Sequence, residues 1–284
     1  MTSRLTLTVL ADNTTLIEKD RFMGEAGLSF YLETGRKKIL FDTGFSDLFL
    51  KNAGDLGIDL RACDYLVLSH GHNDHTSGLP SLARHLAGSS TTVRKPGVPV
   101  LIAHPRCFWP KFSADSMTGS PLTEAQAGAQ FSLRLSAVPV WITRDLVFLG
   151  EIPRKFTFER AGLGKRRIRH PDGKTGPDAL LDDSALVFRS HSGLVIITGC
   201  SHAGICTITE YAREICGEER VRDIIGGLHL LDPGPNRLEK TAAYLKSLSL
   251  EALHACHCTS LAAKIALAGS CPVRETGVGK THSW

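Results

Sequence analysis

The feature that most constrains this chain is an apolar run that passes directly into an ionisable one, "YLVLSHGHNDHTSG", residues 65–78. Tyr65–Leu68 has the aliphatic and aromatic content of a buried strand. His70, His72, Asp74 and His75 follow at once, and a helical pattern, "LPSLARHL", lies beyond. A strand end holds side chains rigidly while leaving one side open. His70 and His72 are two apart, so in extended backbone they point the same way. Asp74 and His75 fall in the turn and can aim elsewhere. One pair can grip one metal and the next pair a second. Imidazole and carboxylate suit zinc, manganese or iron, with positions left for water. A solvated polar loop does not require this many ligand types at fixed spacing.

The surrounding sequence has the alternation of an α/β protein. Arg4–Ala11, Leu28–Glu33, Lys38–Phe41, Tyr65–Leu68 and Val98–Ala103 read as strands, as do Ala185–Arg189, Leu194–Thr198, Val221–Ile225 and Leu253–Ala255. Helical periodicity covers Leu79–Leu86, Ile205–Cys216, Leu238–Leu248 and Leu261–Ala268. The expectation is one domain over residues 1–284, with two pseudo-symmetric halves, 1–152 and 179–284, joined by a basic loop at 153–178. Two strand-rich halves with helices imply two packed sheets covered by helices. No apolar stretch approaches the ~18–20 residues of a membrane-spanning helix. The opening "MTSRLTLTVLADN" lacks a signal-peptide core. A cytoplasmic protein is expected, its eight cysteines reduced rather than bridged. A net charge of +4 gives no reason to expect nucleic acid.

These motifs carry a resemblance. "HGHNDH" is similar to the HxHxDH signature of the metallo-β-lactamase superfamily, and "ILFDTG" (Ile39–Gly44) resembles its first motif, with Asp42 as a buried organiser of the metal loop. "ITGCSHAGI" resembles the third motif, with His202 as ligand, and "ACHCTS" the fifth, with His257. The resemblance implies a four-layer αββα sandwich with two divalent metals at one sheet edge, zinc first and manganese or iron as alternatives. His70, His72 and His202 are expected at one metal, and Asp74, His75 and His257 at the other. The segments "LTVLADN", "GEAGLSFYLET", "FLGEIPRKFTFE", "DDSALVF", "IIGGLHLL" and "CHCT" together resemble a narrower branch. Its members are labelled 7,8-dihydropterin-6-yl-methyl-4-(β-D-ribofuranosyl)aminobenzene 5′-phosphate synthase.

One position departs from the wider pattern. The fourth motif usually ends a strand in a bridging aspartate. Here "VRDIIGGLHLLD" places His229 at that end, and a neutral imidazole has one lone pair to offer. His229 is therefore read as a ligand to a single metal or as a catalytic group facing substrate, with Asp232 as the competing carboxylate. "DTG" at Asp42–Gly44 is not an aspartic-protease site, because no second copy supplies the paired carboxylate. "GVGKT" near the C-terminus has Arg274 where a phosphate loop needs glycine. Cys256 and Cys258 are read as wall residues flanking His257.

The expected activity is hydrolysis of a small anionic phosphorylated or ester-type substrate, with Asp74 orienting the attacking group. The alternatives are a pterin-diphosphate transferase to an aryl-amine acceptor, and a metal-binding sensor without turnover. Eight Lys or Arg lie between Arg154 and Lys174. Arg154 and Lys155 are preferred over Arg166–Arg169 as substrate contacts. His104, Arg106 and Thr259, the last as a helix cap beside the metal, complete the expected substrate-binding set. The expected partner is a small molecule, not a nucleic acid or a membrane.

Overall fold

The computed structural model describes residues 4–16, 18, 21–88, 98–114, 116–160 and 165–284. The first half provides β1 (Leu5–Ala11), β2 (Ser29–Thr34), β3 (Lys37–Phe41), α1 (Leu48–Asp55), β4 (Tyr65–Val67), α2 (Asn73–Thr76), α3 (Leu79–Ala87), β5 (Val100–Ala103), β6 (Lys111–Ser113), β7 (Ser116–Met117), α4 (Glu124–Gly128), β8 (Ser132–Leu135), β9 (Val140–Trp141) and β10 (Leu146–Phe148). The second provides β11 (Arg166–Arg169), β12 (Thr175–Pro177), β13 (Ala185–Ser190), β14 (Gly193–Thr198), α5 (Ile205–Cys216), β15 (Val221–Gly227), α6 (Gly234–Ser247), β16 (Ala252–Cys256), α7 (Leu261–Ala268) and β17 (Thr281–Ser283).

One sheet runs β17-β1-β2-β3-β4-β5-β8 and the other β16-β15-β14-β13-β10-β9. Their strands alternate between two apolar environments because side chains alternate faces. Along β14, Leu194 and Ile196 face the helices while Val195 and Ile197 face the opposite sheet. Along β2, Phe30 and Leu32 enter the core between the sheets and Tyr31 the outer layer. The outer core of the first sheet is closed by Phe49 of α1 and by Leu79 and Leu82 of α3. That of the second is closed by Ile205 and Ile208 of α5, Leu245 of α6 and Leu267 of α7. Three stacked apolar layers thus define the α/β/β/α order. Each large side chain fully withdrawn from water, such as Phe30 or Phe148, contributes roughly 1.5–3 kcal/mol.

The boundary between halves differs from the expected one. β9 and β10, from the first half, pair into the second sheet through β13. β17, from the C-terminal end, crosses back to pair with β1. Each exchange covers a strand that would otherwise present an unpaired edge. The basic segment is also more than a loop. Its described residues include β11 and β12, which form a four-stranded sheet with β6 and β7 in the order β12-β11-β6-β7. Residues 161–164 of that segment lie outside the described residues.

Direction matters more than strand count for the site. β3, β4, β5 and β8 are mutually parallel, and so are β14, β15 and β16. Parallel strands deliver their C-terminal loops to one edge, where open α/β sheets bind ligands. Asp42 follows β3, His70–His75 follow β4, Cys200 and His202 follow β14, His229 follows β15 and His257 follows β16.

Candidate metal centre

The β4 loop is fixed before any ligand is considered. Asp42 is fully buried, and its Oδ1 accepts the Ser69 backbone N–H at 2.7 Å. Its Oδ2 accepts the Ser69 hydroxyl and His75 Nδ1–H, each at 2.7 Å. The Ser69 hydroxyl, having donated to Asp42, accepts from His70 Nδ1–H at 2.9 Å. One carboxylate thereby orients two imidazoles and points both Nε2 atoms inward. A carboxylate behind a ligating histidine orients the ring and raises its basicity.

Two adjacent carboxylates lock the loops together. Asp182 Oδ2 accepts the Gly71 N–H at 2.8 Å, between His70 and His72, while Oδ1 takes Lys111 Nζ at 3.1 Å. Asp183 accepts the Ala203 N–H at 2.7 Å, next to His202. The loops approach so closely that a Cβ on Gly71 would stand 2.0 Å from the Cys107 carbonyl oxygen, and one on Gly199 2.1 Å from Ser69 Oγ. Asp42, Ser201, His229 and His257 have φ of 59°, 60°, 50° and 50°, the left-handed region. Left-handed non-glycine residues gathered in one place are the backbone strain characteristic of functional sites.

Within this frame the rings converge. His70 Nε2 and His72 Nδ1 are 3.0 Å apart, and the His202 ring stands 4.8 and 4.9 Å from those of His70 and His72. The His75 and His257 rings are 4.9 Å apart, and Asp74 Oδ2 lies 3.3 Å from His257 Nε2. Cys200 Sγ is 3.2 Å from His75 Nε2. Three overlapping sets have their ligand atoms within 4.8 Å of one another: Asp74, His75, Cys200 and His257; His70, Cys200 and His202; and His70, His72 and Asp74.

The donors fit divalent metal on two grounds. Both ring nitrogens of the buried His202 lack a hydrogen-bond partner, which costs free energy unless a ligand satisfies them. Three of the imidazoles and the carboxylate are also in the protonation state that metal needs. Burial drives His70 and His202 well below the usual imidazole range, helped by the neighbouring histidines, and takes His72 down to about 3, so all three are neutral donors. Burial works against ionisation of Asp74, but His75, His257 and His72 together outweigh it and hold the carboxyl below its ordinary value. His75 differs: burial opposes its charged form, but Asp74 and Asp42 prevail and raise it to about 9, so metal at this position must displace a proton from its ring.

The cluster opens into a cleft of about 300 Å3, lined by His72, Asp74, Arg166, Cys200, His202 and His229 among others. Phe45 and Leu231, 51% and 59% exposed, form its apolar rim.

Several expected contacts stand elsewhere. Arg154 donates to the carbonyls of Ala179 and Leu180, and Lys155 pairs with Glu210, so neither lines the cleft. Arg166 does, because the pairing of β11 with β6 brings it there. His104 is buried, accepting the Arg106 N–H at Nδ1 and facing Glu151 at Nε2, while the Arg106 guanidinium sits over Trp109. Thr259 accepts the Leu228 N–H, and Ser260 is the residue that caps α7. His229 joins none of the three ligand sets. Its N–H donates to Cys258 Sγ and its left-handed backbone turns the ring onto His202, with centroids 4.2 Å apart. Asp232 is exposed and lines a different hollow with Arg160 and Arg237. Cys200, Asp182 and Asp183 were not singled out from sequence. The only sign of Cys200 was that it stands two positions before His202, the interval that also separates His70 from His72.

Fold and ligand set define a class: the chain belongs to the metallo-β-lactamase superfamily, whose model matches residues 23–215. Among its relatives is the 7,8-dihydropterin-6-methyl-4-(β-D-ribofuranosyl)-aminobenzene-5′-phosphate synthase of Methanocaldococcus jannaschii, 30% identical over 86% of this chain and 84% of that one. An uncharacterised protein of the same organism is 29% identical over 90% and 91%. The crystal structure of Tm1679, described as a metal-dependent hydrolase of the β-lactamase superfamily, superposes with a TM-score of 0.81 at 27% identity, covering 98% of each chain.

Proposed function

We propose that this chain is a metal-dependent hydrolase of small, anionic, phosphorylated or ester-type molecules. One observation carries the reading: the ligand cluster opens into a cleft whose lining includes the cation Arg166 beside His72, Asp74 and His202. Divalent metal in such a site, with zinc the first choice for nitrogen, oxygen and sulfur donors, supplies Lewis acidity and lowers the pKa of water from about 15.7 towards about 7. The protein's own groups do the remainder. Arg166 binds the anionic end of the substrate and sets its distance from the cluster. Asp74, ionised and with its side chain 30% exposed, accepts a hydrogen bond from the attacking group and orients it. His229, which lines the cleft with its ring against His202, faces the departing end of the substrate. All eight cysteines are unbridged, which supports a reducing, cytosolic setting. No described helix is long and apolar enough to cross a membrane.

A second reading is favoured by the rim. Phe45 and Leu231 offer apolar contact to a planar ring, which suits transfer of a pterin group from its diphosphate to an aryl amine, in line with the relative named for that synthesis. The test is a screen of the metal-loaded protein against phosphodiesters, diphosphates, lactones and a pterin diphosphate with and without acceptor. Hydrolysis independent of acceptor, with KM rising roughly 10–100-fold in Arg166→Gln, is expected from loss of one charge-assisted contact. Product formed only with acceptor favours transfer. No turnover of any class with both metals loaded overturns the enzyme reading and leaves the sensor.

A further inference from the structure

No carboxylate ends β15, so that strand offers no oxygen ligand that two metal ions could share. Among the residues of the ligand sets, only Asp74 and Cys200 fall in sets on both sides and carry more than one lone pair; His70 also recurs, but its Nε2 can serve one metal. Asp74 leans to one side, its Oδ2 3.3 Å from His257 Nε2 and 3.7 Å from His75 Nε2. Cys200 is central. Its Sγ groups with Asp74, His75 and His257 on one side and with His70 and His202 on the other, and the residue is only 3% exposed. Cys200 and His202 flank Ser201, which has a left-handed backbone, and both of their side chains enter the cluster. The unpartnered nitrogens of His202 are a second, independent sign that a ligand belongs there. The other nearby thiol, Cys258, accepts the His229 N–H, donates towards the Cys200 carbonyl and joins no ligand set among the described residues.

The geometry points to Cys200 as a thiolate ligand shared by both metal positions, in place of a bridging carboxylate. Binding breaks the S–H bond and forms sulfur–metal bonds; the proton leaves to solvent, and nothing is oxidised or reduced. A shared sulfur also biases the centre towards zinc or cobalt and away from magnesium or manganese. The inference rests on the metal reading and on no substrate, so failure of every substrate leaves it standing.

The test is titration of the chelator-stripped full chain with cobalt(II) under anaerobic conditions. A sulfur-to-cobalt charge-transfer band should grow through the second equivalent in the wild type and in Cys258→Ser. Cys200→Ser should lack the band and bind the second equivalent more weakly by more than the roughly 10–100-fold that loss of a supporting partner costs. Zinc-edge X-ray absorption of the wild type, which needs no variant to fold, should show a sulfur neighbour at about 2.3 Å. Four results overturn the assignment: no band in the wild type at two equivalents, a band that saturates at the first, a band that survives in Cys200→Ser, or one lost only in Cys258→Ser.

Discussion

Lys111 is the buried residue whose removal should be felt most widely. It is 1% exposed, with Nζ 3.1 Å from Asp182 and 3.6 Å from Asp178, and those side chains are 1% and 2% exposed. Lys111→Met keeps most of the volume and removes the only positive charge paired with the two acids in these bridges. Breaking a buried ion pair from one side costs about 3–5 kcal/mol, because the remaining charge stays desolvated. At roughly 2 °C per kcal/mol for a chain of this size, the melting temperature should fall by about 6–10 °C. The loss should depend on pH, and the direction follows from linkage. In the wild type Lys111 is the chief influence holding Asp182 below its ordinary pKa against burial. Without it the folded-state pKa of Asp182 rises above the unfolded value. The folded variant then binds the extra proton, and its stability falls as pH rises. The gap between wild type and variant should therefore be wider at pH 8 than at pH 5. Adding Asp182→Asn should recover part of the loss, as denaturant titrations of both singles and the double would show. A cost under about 1 kcal/mol, or a gap that does not change with pH, refutes the reasoning.

Other perturbations have equally definite outcomes. Asp42→Ala removes three contacts of 2.7 Å that hold Ser69 and His75, and should weaken metal binding about 10–100-fold in a competitive chelator assay; unchanged affinity would show that the loop holds itself. Asp183 is fully buried and raised to about 6 by that burial, so between its unfolded pKa near 4 and 6 the folded state holds the extra proton and stability is lost as pH rises. Asp183→Asn should gain up to ~3 kcal/mol at pH 8 in metal-free protein and nothing at pH 4; a gain equal at both pH values contradicts the assignment. Gly71→Ala would place its Cβ 2.0 Å from a backbone oxygen, so we expect reduced metal content and a lower melting temperature, measured by elemental analysis and calorimetry. Full occupancy with wild-type melting would mean the loop has room that the structure does not show.

Local chemistry was legible in the sequence and long-range pairing was not. The His70–His75 cluster announces itself because its residues are neighbours after a clear strand, and Ile205–Cys216 and Leu261–Ala268 were readable because their periodicity is continuous. Arg166 was passed over for Arg154 because only the pairing of Ile168 opposite Lys111 decides which basic residue reaches the cleft. Cys200 was hidden for a different reason. A buried cysteine is ordinary in a core, and its role depends on His75 and His70, more than a hundred positions away. The exchange of β17 and of β9–β10 between sheets was equally out of reach, since edge pairing is a property of the assembled sheet.

The left-handed backbone beneath the site also bears on how it can change over evolutionary time. His229 and His257 occupy φ near 50°, a region that asparagine, aspartate and glycine enter readily and β-branched residues do not. A histidine codon reaches asparagine or aspartate by one base change. Drift at His257 is therefore channelled towards oxygen donors, which the backbone accepts and which suit harder metals such as manganese or magnesium. In lineages descended from such a site, replacement of that imidazole by an oxygen ligand should be the commonest viable step, and a change of preferred metal would accompany it without any rearrangement of the fold.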